Sequence, residues 1–580
     1  MRAGRFSGSI GDLHVQSSRG SSLWFAIALI VAAALKLAVV SDLTVLIQHN
    51  PQDDGLYVAR AYYLLTEGGF GPYDARTLVK LPGMSFWLAG GRLLGLPYLW
   101  SMNILYVLAG CYLLVGALQC GAGRPIALAA FVAYLFNPVT MGVEWTRVMR
   151  EPLSTGLFIV LFASALFMLL RLQTRRIPLG HMAVFSFVFA FSVLLREEDV
   201  LLYSVLAMLC VAGWWTTRRA GSPSAATRAF VLSIVVAPLL LAVAANAAAR
   251  QFVERSYGLP LLHDFSEGEF PKLMAAIRSI ESKKDNRYVM ITRERLAKLL
   301  VEVPSLVPVI NRLPLPGPGT ASCLLYKVCS ETANGWMPFW IKDAAWEAGL
   351  TPSLPKAQEF FRAARQDIER ACAEGRLKCH PKGHGLLPPF ELRWTRAYMQ
   401  ELFALISMTT APRPDFVLPA APRSDSVETV PGHYAVDASF GRIFQFVTMT
   451  HDFDTEAHAM GTAAAVPRYA SPLASWRSTI GDVYKLLAPA IVLLTVAAFA
   501  VRLVLWRKLL PSALTLTAAI FVGYALLRIA ALSYVGVYLG GVVDRHVYST
   551  HSFILLIGLF VMADAVNAVR AAKLQRQGNE

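Results

Sequence analysis

Apolar runs close to twenty residues long recur over residues 23–249 and again over 484–567, and none occurs between them. About twenty apolar residues in a helix cross the ~30 Å hydrocarbon core of a bilayer. Backbone polar groups have no partner in lipid, so only helices or closed barrels can span it. A membrane β-barrel alternates apolar and polar residues over ~10-residue segments, whereas these runs are continuous. Charged residues make up 16% of the chain, against about 25% in soluble domains, which excludes a soluble or a disordered chain. The expected fold class is an α-helical polytopic membrane protein of about ten transmembrane helices, with a helical, loop-rich outer domain inserted between them.

The spans are expected near residues 23–48, 98–119, 125–142, 152–170, 180–195, 199–216, 229–249, 484–506, 510–532 and 551–567. The first is too long for a signal-peptide core and no small-residue cleavage site follows it, so it reads as a retained helix. Basic clusters at Arg124, at Arg171, Arg175 and Arg176, and at Arg218, Arg219 and Arg228 fall in alternate loops. Arg502, Arg507 and Lys508, then Arg570, Lys573 and Arg576, continue the alternation. Cytoplasmic loops carry the excess of Lys and Arg, so both termini are expected inside, which requires an even number of spans. The same distribution accounts for the net charge of +15 without nucleic acid, for which no basic helix or recognition motif is present.

Three units follow: an N-terminal membrane module over 1–249 with a first outer loop at 49–97, an extracytoplasmic block over 250–483, and C-terminal membrane helices over 484–580. The block shows helical patterns at Phe270–Val303 and Lys356–Cys372 and Pro-rich connectors at 304–318 and 410–431. No internal repeat is present. Cys323, Cys329, Cys372 and Cys379 all lie in it, and four cysteines on an oxidising side favour two disulfides. A zinc site at Cys372, Cys379, His380 and His384 is the rival, although its spacing matches no standard zinc pattern. Residues His451–His458 contain acids and histidines that suit either a metal or a solvated loop.

The first outer loop opens with Asp53-Asp54-Gly55-Leu56-Tyr57. A helical pattern, the turn Gly68-Gly69-Phe70-Gly71-Pro72-Tyr73, and then Lys80-Leu81-Pro82-Gly83-Met84-Ser85-Phe86-Trp87-Leu88 follow. By itself an Asp-Asp pair reads as a solvated loop, and Lys80 as an interfacial lysine that reaches out to water. Together the segments resemble the GT-C superfamily of polyprenyl-phosphate-sugar glycosyltransferases, with the protein O-mannosyltransferases and the lipid A aminoarabinose transferases as the nearest likenesses. Those open the loop with Asp-Glu-x-x-Tyr and continue to Lys-Pro-Pro-Leu-x-x-Trp-Leu. Here the second acid is Asp54, and Leu81 stands where one proline of the pair would be. The likeness is motif-specific over residues 23–120.

The resemblance implies an inverting transfer with Asp53 as the catalytic carboxylate, Asp54 as its partner or a divalent-metal contact, and Lys80 on the lipid phosphate. The chemistry asks for the same groups: a carboxylate takes the acceptor's proton, and fixed cations meet charge developing on the departing phosphate. Other outer turns carry charge at membrane depth, where it is expensive and faces a cavity or a partner. Arg147 and Arg150, with Glu144, sit in one such turn. Their guanidinium forks suit phosphate, and pairing with neighbouring acids fits equally well. Arg196 in the turn Arg196-Glu197-Glu198-Asp199 reads as a phosphate or substrate ligand, with Glu198 beside it. Before the last span, Asp544-Arg545-His546-Val547-Tyr548 resembles an Arg-Tyr segment of the family, so that Arg545 transfers to the phosphate site. Tyr57, His546 and Tyr548 are further candidates.

The expected activity is therefore a membrane glycosyltransferase. Its expected donor is a sugar on a polyprenyl phosphate, undecaprenyl phosphate in a bacterium, and its acceptor an envelope glycan, glycolipid or protein. Membrane lipid is the expected surrounding, and the bacterial inner membrane, with the site on its outer or periplasmic face, the expected location. A transporter or flippase of lipid-linked sugars would use the same charged cavity without bond chemistry. A structural envelope protein would leave the Asp-Asp and Lys motifs without a purpose.

Overall fold

The computed structural model describes residues 19–45, 53–173, 177–219, 224–283, 286–314, 316–317, 322–323, 327–332, 335, 337–380, 390–411, 438–450, 472–505, 512–539 and 544–577. Twenty helices are labelled here. The N-terminal half holds α1 (Arg19–Val39), α2 (Asp53–Thr66), α3 (Gly83–Leu93), α4 (Tyr98–Gln119), α5 (Arg124–Leu135), α6 (Val143–Thr146), α7 (Arg150–Gln173), α8 (Leu179–Val193), α9 (Leu202–Arg219) and α10 (Ala225–Tyr257). The middle of the chain holds α11 (Phe270–Ser279), α12 (Arg293–Glu302), α13 (Val307–Ile310), α14 (Met337–Glu347), α15 (Leu354–Ala373), α16 (Thr395–Thr410) and α17 (Ala438–Thr448). Three long helices follow: α18 (Pro472–Leu505), α19 (Ala513–Leu539) and α20 (Tyr548–Gln577). Among the described residues, β pairing is confined to two isolated bridges, Ile280 with Cys379 and Asn286 with Val289. The chain is an α-helical polytopic membrane protein.

Among the described residues, eight helices are long and apolar enough to cross a membrane: α1, α4, α7, the segment Glu197–Arg218, α10, α18, α19 and α20. The other two expected spans are helices as well, but shorter. At 1.5 Å per residue, α5 and α8 extend about 18 and 22 Å, less than the ~30 Å core. Helix α5 stops early because Pro138 brings no N–H, and Asn137 caps the following 3₁₀ turn by accepting from the Val139 amide at 3.2 Å. The irregular backbone from Asn137 to Met149 then lies inside protein, the one setting in which it is tolerated at membrane depth. Two of its polar side chains are satisfied there: Asn137 Nδ2 donates to Ser552 Oγ at 2.8 Å, and Thr140 Oγ1 accepts from Lys36 Nζ at 2.6 Å.

Helix α7 is the axis of the bundle. It packs against α4, α8, α9, α19 and α20, and its side chains are nearly all buried. Helix α1 lies at the edge and leaves Leu23, Trp24 and Ile30 exposed, as a lipid-facing helix does. Helices α10 and α18 run beyond the apolar runs, to Tyr257 and from Pro472.

The middle block divides in two. Helices α11–α15 enclose their own core, in which Ala357, Phe361, Ala364, Ile368 and Ala371 form the inward stripe of α15 at helical spacing. Cys323–Cys329 and Cys372–Cys379 are joined, with Cα–Cα distances of 4.0 and 5.8 Å. Among the described residues no three His, Cys, Asp or Glu side chains group as a metal site. His384, the segment His451–His458 and the connector over 412–431 lie outside the described residues. Helix α16, by contrast, returns to the bundle. Leu405 packs with Ile529 and Leu532 of α19, and Tyr398 Oη donates to the Ala530 carbonyl at 3.3 Å. Helix α17 packs on α2 and α3.

Candidate active site

The two adjacent aspartates open α2, where the first-turn amides and the helix dipole favour negative charge. They point to different places. Asp54 is fully buried and takes both prongs of Arg147: Nε donates to Oδ2 and a terminal nitrogen to Oδ1, each at 3.1 Å. The other terminal nitrogen of Arg147 lies 3.2 Å from Glu144 Oε2. Burial pushes the Asp54 carboxyl above its usual range, and Arg147 pulls against that shift. The fork makes Asp54 the holder of Arg147 rather than an open metal ligand. Asp53 pairs with Lys80, Nζ to Oδ2 at 3.0 Å, with the two side chains 24% and 18% exposed.

The loop that presents Lys80 is clamped from several sides. Arg60 donates to the Lys80 carbonyl at 2.9 Å and to the Thr77 carbonyl. His263 Nε2 bonds the Val79 carbonyl at 3.0 Å, and the Asp264 amide bonds the Leu78 carbonyl at 2.8 Å. The Gly83 amide donates to the Leu194 carbonyl at 2.8 Å, and a Cβ at residue 83 would lie 2.6 Å from that oxygen. Only glycine allows this approach, which ties the Lys80 loop to the Arg196 turn. Helices α11–α15 brace the same loop: Arg76 holds Asp343 with both prongs at 3.1 and 2.5 Å, and Lys342 pairs with Asp264.

Beyond Lys80 the charges continue. Arg150 lies 2.6 Å from Glu197 Oε2, and Glu197 Oε1 is 3.4 Å from His263 Nε2. Burial lowers the His263 pKa; Glu197 opposes the shift, and Lys80 and Arg150 add to it. The neutral ring therefore donates from Nε2 to Val79, and its Nδ1, 2.8 Å from Ser266 Oγ, accepts. Tyr57, one turn after Asp53, is buried, and its hydroxyl has no hydrogen-bond partner among the described residues. Arg150, Asp53, Glu197 and Glu151 are the charges that act on it.

Arg196 pairs with Glu198 and reaches Glu151 at 3.7 Å and Ser154 Oγ at 3.3 Å. Arg528, from the interior of α19, meets the same Glu198 at 3.4 Å and Ser549 Oγ at 3.2 Å. Tyr524 Oη donates to Asp199 at 3.3 Å. Arg196, Asp199, Tyr524, Arg528, Ser154 and Ser549 border a cavity of about 20 Å³, room for about one water. His546 stands 4.0 Å from Glu151. Tyr548 is buried in the bundle core. The side chain of Arg545 lies outside the described residues.

Lys80, Arg147, Arg150 and Arg196 are each matched by an acid, and Arg196 has both its local partner Glu198 and the more distant Glu151. Sequence reasoning missed Arg528, His263 and Arg60. A single arginine inside the apolar run 510–532 was the available signal for Arg528.

The chain matches no protein-family model and no curated protein. Two solved structures are similar to it over most of its length. One is ArnT from Cupriavidus metallidurans bound to undecaprenyl phosphate: 14% identity, 90% of this chain and 78% of that chain covered, TM-score 0.27. The other is ArnT from Cupriavidus metallidurans in the apo state: 13% identity, 94% and 78% covered, TM-score 0.27.

Proposed function

We propose that this protein is a GT-C-type membrane glycosyltransferase that moves a sugar from a polyprenyl phosphate to an acceptor hydroxyl on the outer face of a bacterial inner membrane. The observation that carries the reading is the half-open Asp53–Lys80 pair. Arg150 and Asp53 both act on the nearby Tyr57 hydroxyl, which has no hydrogen-bond partner among the described residues.

In the resting protein Lys80 is held by Asp53. A lipid-linked phosphate offers Lys80 stronger, charge-assisted hydrogen bonds and releases Asp53. The acceptor oxygen then attacks the anomeric carbon with inversion, its proton passes to Asp53, and the bond to the phosphate oxygen breaks. The charge left on the lipid phosphate is met by Lys80 and Arg150. Tyr57 donates to a donor oxygen. Arg196 and Arg545 hold the far side of the donor, with Glu198 and Arg528 fixing Arg196. Undecaprenyl phosphate is the carrier, and an envelope glycan, glycolipid or protein is the acceptor.

The test is Asp53→Asn, which keeps shape and removes the base. Transfer of labelled sugar from its undecaprenyl phosphate donor falls at least the ~10²-fold typical of lost acid–base catalysis, while donor binding persists because Lys80 is freed. Near-wild-type turnover by the purified variant would falsify the assignment. Donor binding by the wild type with no sugar transfer, but with movement of the intact donor across the membrane, would point to transport instead.

A further inference from the structure

Helix α7 starts at Arg150, beside Lys80, and Arg171 in its last turn lies about 32 Å further on, at 1.5 Å per residue. At that far end Arg171, Tyr112 of α4 and the start of α8 border an open pocket of about 810 Å³. His181 of α8 lines it too, and its ring stacks on Phe167, with centroids 4.3 Å apart and planes within 2° of parallel. Tyr112 Oη accepts from Ser164 Oγ at 3.4 Å and gives its own proton to His181 Nδ1, 2.6 Å away. The neutral ring then carries its hydrogen on Nε2, and the protonated ring carries one there as well. Stack and hydrogen bond together fix the ring, and the Arg171 charge acts on it.

The sequence brings positive charge to this end and no acid. Asp and Glu are missing between Asp74 and Glu144, which covers α4, and between Glu151 and Glu197, which covers the rest of α7, all of α8 and the loop that joins them. The second stretch carries Arg171, Arg175, Arg176 and His181. From the pocket an apolar stripe continues down α8. Gly180, Val184 and Phe187 recur at i, i+4 and i+7 on one helix face. Val184 and Phe187 are exposed, and a Cβ at Gly180 would meet nothing within 4 Å.

We propose that this pocket binds the headgroup phosphate of an anionic phospholipid in the leaflet opposite Asp53, with an acyl chain lying along α8. The proposal does not rest on the glycosyl-transfer reading. The Arg171 fork and the His181 Nε2 hydrogen meet phosphate oxygens with charge-assisted hydrogen bonds. The stripe from Gly180 to Phe187 gives an attached chain a surface, which a water-soluble phosphate has no use for. Basic clusters mark this end as cytoplasmic, and basic pockets between membrane helices on that side suit anionic headgroups. An arginine in a last turn also suits the helix dipole, but that role asks for no particular lipid.

The full-length protein in phosphatidylcholine nanodiscs receives traces of phosphatidylglycerol or of phosphatidylcholine, each with the same diazirine near the headgroup end of one acyl chain. Labelled peptides are read by mass spectrometry after irradiation, with the exposed stretch 239–243 of α10 as the bulk-lipid reference. Phosphatidylglycerol labels residues 177–187 about fivefold more than phosphatidylcholine does, as ~1 kcal/mol per basic residue at the surface gives. Arg171→Gln removes that excess. His181→Phe keeps an aromatic ring on Phe167, removes the N–H donor and lowers phosphatidylglycerol labelling about fivefold, the effect of one lost hydrogen bond. Gly180→Leu fills open space without touching either donor and lowers the labelling as well, so the result does not hang on variants at the stack. Equal labelling by the two lipids overturns the proposal, as does labelling that none of the three substitutions changes. Displacement of the lipid by millimolar inorganic phosphate would assign the pocket to a free anion and overturn it too.

Discussion

Asp53 and Asp54 are neighbours in sequence and opposites in structure. Asp54 gives both oxygens to a buried arginine fork, while Asp53 gives one oxygen to one lysine at a partly open edge. Bidentate pairing in a dry site is strong and geometrically specific. An ammonium–carboxylate pair near water gains little. The interior pair therefore fixes where α2 meets the Glu144–Arg147 turn, and the edge pair is the one a ligand can exchange. The transfer proposed for this protein would need both: a base that can be freed, on a frame that does not move when it is.

The largest expected effect comes from breaking the interior pair. Arg147→Met leaves a buried carboxylate without its cation and costs about 3–5 kcal/mol of stability, read as earlier thermal unfolding in detergent. Adding Asp54→Leu removes the stranded charge and recovers most of the loss, because replacing both partners of a buried pair with apolar groups is close to neutral. The double variant still transfers sugar. If it folds and is inert, Asp54 is more than a holder and the contrast between the two aspartates fails.

Breaking the edge pair has a smaller effect on the fold. Lys80→Met costs about 1 kcal/mol or less, but it weakens binding of undecaprenyl phosphate about tenfold or more, as a lost hydrogen bond between charged groups does. Equilibrium binding in nanodiscs checks this. A variant that unfolds early yet binds donor normally would reverse the roles given to the two pairs.

The two pairs also differ in how far they could be read in advance. Asp53 and Lys80 stand in a local motif, so their nearness follows from residues 27 apart in one loop. Ten helical segments and the joining of the four cysteines of the middle block were likewise legible, because hydropathy and spacing are local properties. The partner of Asp54 was not. Arg147 lies 93 residues away, and its turn was equally consistent with self-pairing; the structure shows it doing both, with Glu144 and with Asp54. Arg528 and His263 were hidden for the same reason, since nothing in an apolar run says which charged turn its one arginine will meet. Helix α5 looked long enough to span because hydropathy continues past Pro138, while hydrogen bonding does not. Helix α16 belongs to the block expected over 250–483, and no feature of the sequence showed that its Leu405 would pack on Ile529 and Leu532 of α19.

The smallest expected effect tests the clamp behind the edge pair. His263 bonds the Val79 carbonyl, one residue before Lys80, through a neutral ring whose pKa burial holds below the ordinary ~6.5. The unfolded chain therefore binds a proton before the folded one does. Stability must fall as pH drops through about 6.5, and the fall ends once pH is below the lowered folded-state value. His263→Gln keeps a donor for Val79 and removes the titration, so its unfolding temperature changes less between pH 7 and pH 5 than that of the wild type. Donor affinity should follow the same difference, because the clamp sets the position of Lys80, whereas the stability cost of Arg147→Met should be the same at both pH values. Parallel pH curves for wild type and His263→Gln would show that the ring carries no such linkage. A pH-dependent cost for Arg147→Met would show that acid loosens the interior pair as well, and the two sides of the site would then not be as separate as their geometry makes them.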